Sequence, residues 1–234
     1  GAQVGRFLVE RGSSIIFHPH PGGDEALQAS AFLDYVMVAL MRQRGNLILH
    51  ANTALTPRGA VSLSGISGAG KTTTLSALLQ AGCSMLADDI TVLRLGPQGK
   101  VQIVPGLPKM NLTYTAAENL GIDTSQYHRH QWQSTKVIVP THGYMEEIPA
   151  VMQALYILEI SSVESVQVKA LFGREKLSAI QDCIFGPMLP GEHPAAFPIL
   201  SALAENVPVY RIQRPLQQWT INEVTRILLS SEQI

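Results

Sequence analysis

Three observations predict an α/β fold for this chain. Short β-prone runs bounded by Gly, Pro, Asn and Ser alternate with stretches of helical periodicity. A glycine-rich loop at residues 65–70 stands between an apolar run and an amphipathic helix. The 234 residues, 46% of them hydrophobic, are enough for one large domain that buries roughly 70% of its unfolded surface.

In chain order, residues 7–9 and 14–17 are β-prone arms of a small hairpin around Glu10-Arg11-Gly12-Ser13. Asp24 opens a helix with Phe32, Val36, Ala39 and Leu40 on one face, and Gly45 ends it. Residues 46–51 and 60–64 are strands joined across Thr56-Pro57-Arg58-Gly59. Residues 71–81 form a helix with Leu75, Leu78 and Leu79 inward, and Gly82 suits the left-handed position just past its end. Strand runs 85–87 and 90–95 flank Asp88-Asp89, and the turn Gly96-Pro97-Gln98-Gly99 leads into strand 101–104. Residues 105–148 show little periodicity apart from Val137-Ile138-Val139, which predicts an irregular functional segment. Residues 154–160 and 166–171 read as a strand pair. Helices follow at 175–184, 195–205 and 216–229, with strand 208–212 between the last two.

Charge narrows the function classes. Seventeen basic and 18 acidic side chains leave a net charge of -1, so no global field attracts nucleic acid or anionic lipid. Neither is expected as a partner, and an anionic ligand needs a local site. Trp132 and Trp219 are too isolated to stack nucleic-acid bases. Residues 31–41, the most apolar helical stretch, are too short to span about 30 Å of hydrocarbon. Residues 1–20 lack a basic start followed by an apolar core, so no signal peptide is expected. Cys83 and Cys183 form no Cys-x-x-Cys pair, which points to a reducing, cytoplasmic setting.

Gly65-Ile66-Ser67-Gly68-Ala69-Gly70-Lys71-Thr72 fits G-x-x-x-x-G-K-[ST], the P-loop, with Thr73 continuing the helix start. Its glycines let backbone approach phosphate oxygens, and amides at the helix start point at the anion. Lys71 supplies a point charge for the β- and γ-phosphates of ATP, and the Thr72 hydroxyl suits Mg²⁺. Ten helical residues from Thr72 lead about 15 Å away and five extended ones return about 16 Å, which sets Asp88 and Asp89 beside the phosphates. Two adjacent carboxylates there divide two roles, holding a metal and accepting a hydroxyl proton. If Pro57 and Arg58 are the central residues of a symmetrical hairpin, His50 falls opposite Gly65, at the loop's mouth. A histidine there can polarise a phosphate or tune the base.

Residues 50–93 resemble the catalytic domain of the HPr kinase/phosphorylase family. The resemblance rests on His50, the loop from Gly65 to Thr72, Gly82 and Ala87-Asp88-Asp89, with similar intervals from His50 to Lys71 and from Lys71 to Asp89. It implies Asp89 as proton acceptor, His50 as its assistant and Thr72 as a metal ligand, which leaves Asp88 beside the metal. It also implies a mixed sheet like that of the phosphoenolpyruvate carboxykinase nucleotide domain. The family's second signature, with its glutamate, and its later catalytic arginine are not found; Tyr114 and Leu155 stand roughly where they would fall. A chain this short looks more like the stand-alone HPr-kinase-like proteins of peptide-modification systems, including those acting on a serine of a lasso-peptide precursor.

The expectation is therefore one domain, 1–234, comprising an N-terminal hairpin and helix (1–45), a nucleotide-binding core (46–104), a substrate or lid segment (105–148) and a C-terminal α/β part (149–234). Its expected activity is ATP- and Mg²⁺-dependent phosphorylation of a serine hydroxyl on a peptide or small protein. A bifunctional kinase/phosphorylase, a kinase for free serine or a sugar, and an ATP-binding switch remain open. The family resemblance also makes a homo-oligomer plausible. Lys109, Arg129, Lys136 and Arg174 are candidates to clamp phosphate or an acidic peptide end. His128 and His130 have the spacing to share one side of a strand, and His18-Pro19-His20-Pro21 reads as a rigid turn.

Overall fold

The computed structural model describes residues 4–131, 133–186, 193–216 and 218–230. Trp132 lies outside them. Strands β1 (Gly5–Glu10) and β2 (Ser14–Pro19) form the expected hairpin, which Phe7 fastens to the following helix by stacking on Phe17 and touching Phe32. Asp24 accepts from the Ala26 and Leu27 amides at 2.8 and 3.0 Å and so caps α1 (Glu25–Ala31). The run then widens into a π turn, Phe32–Val36, before α2 (Met37–Gln43), and Gly45 ends it in a left-handed conformation.

The expected 46–51 strand is instead broken at His50. β3 (Leu47–Leu49) pairs with β7 (Thr91–Leu95), whereas β4 (Ala51–Thr56) pairs with β5 (Gly59–Ser64). The hairpin register is the symmetrical one expected, with Thr56 opposite Gly59 and Ala51 opposite Ser64. From β5 the chain enters α3 (Lys71–Gln80) and returns as β6 (Ser84–Ala87), which joins the far edge of β4. Because β4 runs antiparallel to both, β5 and β6 are parallel with β4 between them. β6 and β7 belong to different parts of the sheet, so Asp88-Asp89 is where the chain crosses from one to the other.

Next come β8 (Val101–Val104) and a three-stranded sheet of order β10 (His128–Arg129), β11 (Lys136–Pro140), β9 (Lys109–Thr113), with α4 (Tyr114–Asn119) leaving β9. This corrects the expectation of an irregular 105–148 segment. Met110, Asn111 and Leu112 are all buried, so β9 has no polar-apolar alternation to read.

β12 (Ala150–Ser161) binds the main sheet together. Its first two residues pair with β8, its middle runs parallel to β5, and its C-terminal half runs parallel to β14 (Val209–Pro215). β13 (Gln167–Leu171) pairs with β14 rather than with β12. The expected direct pairing of 154–160 with 166–171 is therefore wrong, because β14 lies between them. α5 (Gly173–Asp182) and α6 (His193–Asn206) connect β13 to β14. The last helix, α7 (Ile221–Leu229), is shorter than the expected 216–229, since β14 continues through Arg214 and Pro215.

The result is a mixed sheet with helices on both faces. One core joins Leu75 and Leu78 of α3 and Val224 and Leu228 of α7 to Leu63 and Met85. The other joins Ile180 of α5 and Leu203 of α6 to Leu86, Leu93, Ile103 and Leu155. Adjacent Met85 and Leu86 serve opposite cores, as the strand period requires. Each such fully buried side chain contributes about 1.5–3 kcal/mol. Both cysteines are buried and free, and no helix among the described residues is long and apolar enough to cross a membrane.

Candidate active site

The glycine loop leaves β5 where β12 crowds it. A Cβ on Gly65 would run into the Leu158 carbonyl, and its φ of +142° is one that L side chains rarely adopt. Ile66, Ser67 and Gly68 are exposed, and Ala69 turns inward. Gly70, at φ +96°, delivers the chain into α3. Amides of the first helical turn, at Lys71, Thr72 and Thr73, have no acceptor within the helix and point toward the loop. Lys71 Nζ donates to the Gly65 carbonyl at 2.8 Å, which folds the ammonium across the loop. Burial lowers its pKa, and Asp89 opposes that shift.

Asn52 lies between the loop and the aspartates, because β4 lies between β5 and β6. It is fully buried, and its Nδ2 donates to Thr72 Oγ1 at 3.0 Å and to Asp88 Oδ1 at 2.5 Å. Its Oδ1 accepts the Asp89 N–H at 3.1 Å. Thr72 Oγ1 donates to the same Asp88 oxygen at 3.2 Å, and the Asn111 amide donates to Asp88 Oδ2 at 2.7 Å. Desolvation pushes the Asp88 carboxyl up to about 8, Asp89 adds to the rise, and the Asn111 and Thr72 hydrogen bonds oppose it.

The two carboxylates do separate, but not by strand alternation. β6 ends at Ala87, Ile90 N–H closes back on the Asp88 carbonyl at 2.8 Å, and Asp89 adopts a left-handed φ of +62°. That kink leaves Asp88 against Thr72 and brings Asp89 to Asn111, whose Nδ2 donates to Asp89 Oδ2 at 3.3 Å. Asn111 Oδ1 is buried without a partner.

His50 occupies the gap between β3 and β4, and its carbonyl accepts the Ser64 hydroxyl at 2.9 Å, one residue before Gly65. Its ring tilts against Phe185 at 5.8 Å. Burial lowers its pKa, Lys71 lowers it further, and Asp89 opposes both, so the imidazole is neutral near pH 7. Lys136, on β11, has a minor electrostatic influence on His50, Lys71 and Asp88 but does not line the cavity beside Asp89. Lys109 lines the cavity beside Asp89 but is paired with Asp34 at 3.4 Å. Arg129 is exposed on β10. Arg174 opens α5 from the far end of β13: Leu171 pairs with Val209 at the start of β14, whereas the loop side of the sheet is the end of β14. His130 is buried and accepts the Gln133 amide at 3.2 Å, while His128 is exposed, so the two do not share an environment. Tyr114 begins α4 and Leu155 is fully buried in β12.

The donor set is suited to Mg²⁺. A threonine hydroxyl and a carboxylate, both hard oxygens, converge beside the loop, and Mg²⁺ needs only one or two protein oxygens when phosphates and water complete its shell. Among the described residues no cluster of three or more His, Cys, Asp or Glu forms a self-sufficient metal site.

No protein-family model matches the chain, and no curated protein does. Among solved structures, the chain is similar to an HPr(Ser) kinase/phosphatase from Coxiella burnetii. The identity is 11%, 77% of this chain and 93% of that chain are covered, and the TM-score is 0.39. A likeness of that size decides neither fold detail nor chemistry.

Three site residues escape sequence reading. Asn52 falls just past the expected 46–51 strand and shares β4 with Thr53 and Thr56, so polarity alone does not mark it; the hairpin register, which sets it opposite Leu63, is the one signal pointing to it. Asn111 carries no comparable signal. Arg214, 9% exposed, donates from Nη1 to the Ala69 carbonyl at 2.9 Å and from Nε to Thr220 Oγ1 at 3.1 Å. A Cβ on Gly70 would strike its guanidinium.

Proposed function

We propose that this chain is an ATP-dependent kinase that phosphorylates a serine hydroxyl on a peptide or small protein. The observation that carries this reading is the kink at Asp88-Asp89, which aims one carboxylate at Thr72 beside the glycine loop and the other at a cavity large enough for an acceptor. A site for nucleotide hydrolysis alone needs no such cavity on the far side of its carboxylates.

In this reading the amides from Gly68 to Thr72 and the Lys71 ammonium hold the phosphates, and Thr72 and Asp88 hold Mg²⁺. The metal supplies charge neutralisation at the phosphates. Asp89 accepts the proton of the acceptor hydroxyl as that oxygen bonds to the γ-phosphorus; the bond from γ-phosphorus to the bridging oxygen breaks, and ADP leaves. Asn111 orients the Asp89 carboxylate, and neutral His50 faces it without competing for its charge. Arg214 steadies the loop through Ala69.

The test is incubation with γ-labelled ATP, Mg²⁺ and a panel of serine-containing peptides and small proteins, followed by phosphoamino-acid analysis. Label on serine supports the proposal. Release of inorganic phosphate with every acceptor unlabelled overturns it in favour of a switch.

A further inference from the structure

The cavity next to Asp89 has a volume of about 400 Å³, within the roughly 300–1,000 Å³ of small-ligand sites. Its walls come from the π turn and α2, from β7, and from the segment between β8 and β9. Asp89, Asp88, His50 and Asn111 form its floor, but no residue of the glycine loop 65–72 lines it. The space is therefore not where the loop would seat a nucleotide. It lies on the opposite side of the carboxylates, where the group that meets Asp89 must enter.

Two features describe the occupant. The walls are apolar, with Leu33, Met37, Val38, Ile90, Val92 and Phe185 contributing. Their one lysine, Lys109, is paired with Asp34 at 3.4 Å, and burial keeps both His50 and His130 below their ordinary pKa. An anionic side chain entering this space would lose hydration and meet Asp34, Asp88 and Asp89, whereas a cationic one would reach Asp89 only at the cost of its own hydration.

We propose that the cavity selects a serine flanked by a bulky uncharged apolar residue, whose side chain fills the space. This rests on the kinase reading above and sharpens its substrate class. A sugar, with hydroxyls on every side, would leave most of them unpaired against these walls, and free serine would leave the space unfilled.

The test uses short blocked peptides in which the residue next to serine is Leu, Phe, Gly, Lys or Asp, on either side. Transfer from ATP and calorimetric binding to protein loaded with a non-hydrolysable ATP analogue are measured in parallel. Leu and Phe should exceed Gly in kcat/KM by about tenfold or more, the discrimination an apolar pocket gives. Asp should fall below Gly, and Lys below Leu and Phe. Met37→Lys, checked for folding by its melting temperature, should shift preference toward Asp. Transfer with equal efficiency to all peptides overturns this inference and leaves the kinase reading standing. Binding of the Leu and Phe peptides without transfer supports the pocket and overturns the kinase reading. Neither selective binding nor transfer overturns both, and the wild-type panel decides even if Met37→Lys does not fold.

Discussion

Replacing Asn52 by Ala should disable the site from a residue that touches neither phosphate nor acceptor. The side chain makes three hydrogen bonds, to Thr72 Oγ1, Asp88 Oδ1 and the Asp89 N–H. In the variant, Asp88 Oδ1 keeps only the Thr72 hydroxyl, and the Asp89 N–H is left without an acceptor. With Asp88 protonated near pH 7, the lost bond to it is worth about 0.5–1.5 kcal/mol and an orphaned buried N–H about 1–3 kcal/mol, which together give about 1.5–4.5 kcal/mol. For a chain of this size that lowers the melting temperature by roughly 3–18 °C. Calorimetry or circular dichroism of both proteins without nucleotide measures it. Asn52→Asp keeps the shape and the acceptor for the Asp89 N–H but replaces the two donated bonds with a further carboxyl group, so above about pH 8, where Asp88 ionises, it should melt lower still and regain part of the loss with Mg²⁺. An Asn52→Ala protein melting within about 2 °C of the wild type would refute the bridging role, since the orphaned Asp89 N–H alone accounts for at least that.

Four further outcomes are expected. Arg214→Met should weaken ATP binding and Arg214→Lys should restore only part of it, because a lysine cannot reach Ala69 and Thr220 together; full rescue by lysine in equilibrium dialysis would reduce the residue to its charge. His50→Ala should slow transfer with little change in ATP affinity, and unchanged rates would make the histidine purely structural. Asp89→Asn should cut transfer by about 10²–10⁴ while retaining nucleotide binding, and full transfer would remove Asp89 as the base. The Asp88 carboxyl is raised to about 8, so near pH 7 the folded protein holds a proton that its unfolded chain has lost, and this contribution to stability fades as pH rises from about 4 through about 8. Binding of Mg²⁺ with ATP at Asp88 should release that proton, seen in calorimetry as a binding heat that depends on the buffer; no dependence would remove Asp88 from the metal site.

The parts of the site legible in the sequence are those set by short-range geometry. The glycine loop, the helix after it, and the hairpin register around Pro57 and Arg58 each depend on a few neighbouring residues; the register sets Ala51 opposite Ser64, and His50 lies one step outside it, its carbonyl accepting the Ser64 hydroxyl. Residues delivered by distant strands were not legible. Asn111 reaches Asp88 only because β9 passes the end of β6, and Arg214 reaches Ala69 only because β14 runs parallel to β12 up to its end, with Arg214 opposite Ile160. The cavity depends on the π turn, a local widening of a helix whose apolar period looks continuous. The 105–148 segment misled for the same reason: its strands are short, and one buries an asparagine where an apolar residue would mark a core.

Asp89 also shows how the sheet architecture and the chemistry meet. The chain leaves β6 on one side of β4 and must become β7, between β3 and β8, within three residues. A smooth extended path would carry Asp88 and Asp89 to opposite faces of one strand. The left-handed φ at Asp89 breaks that path, and Asn52 supports the break by accepting the Asp89 N–H. Asp and Asn tolerate this conformation better than other side chains, whereas an alanine there would add backbone strain to the lost charge. Asp89→Asn is for this reason the cleaner probe: it keeps the backbone preference and the Asn52 hydrogen bond, so a loss of transfer measures the carboxylate. The same kink sets Asp88 against Thr72 and makes Ile90 a wall of the cavity, so three consecutive residues face the loop, Asn111 and the apolar pocket.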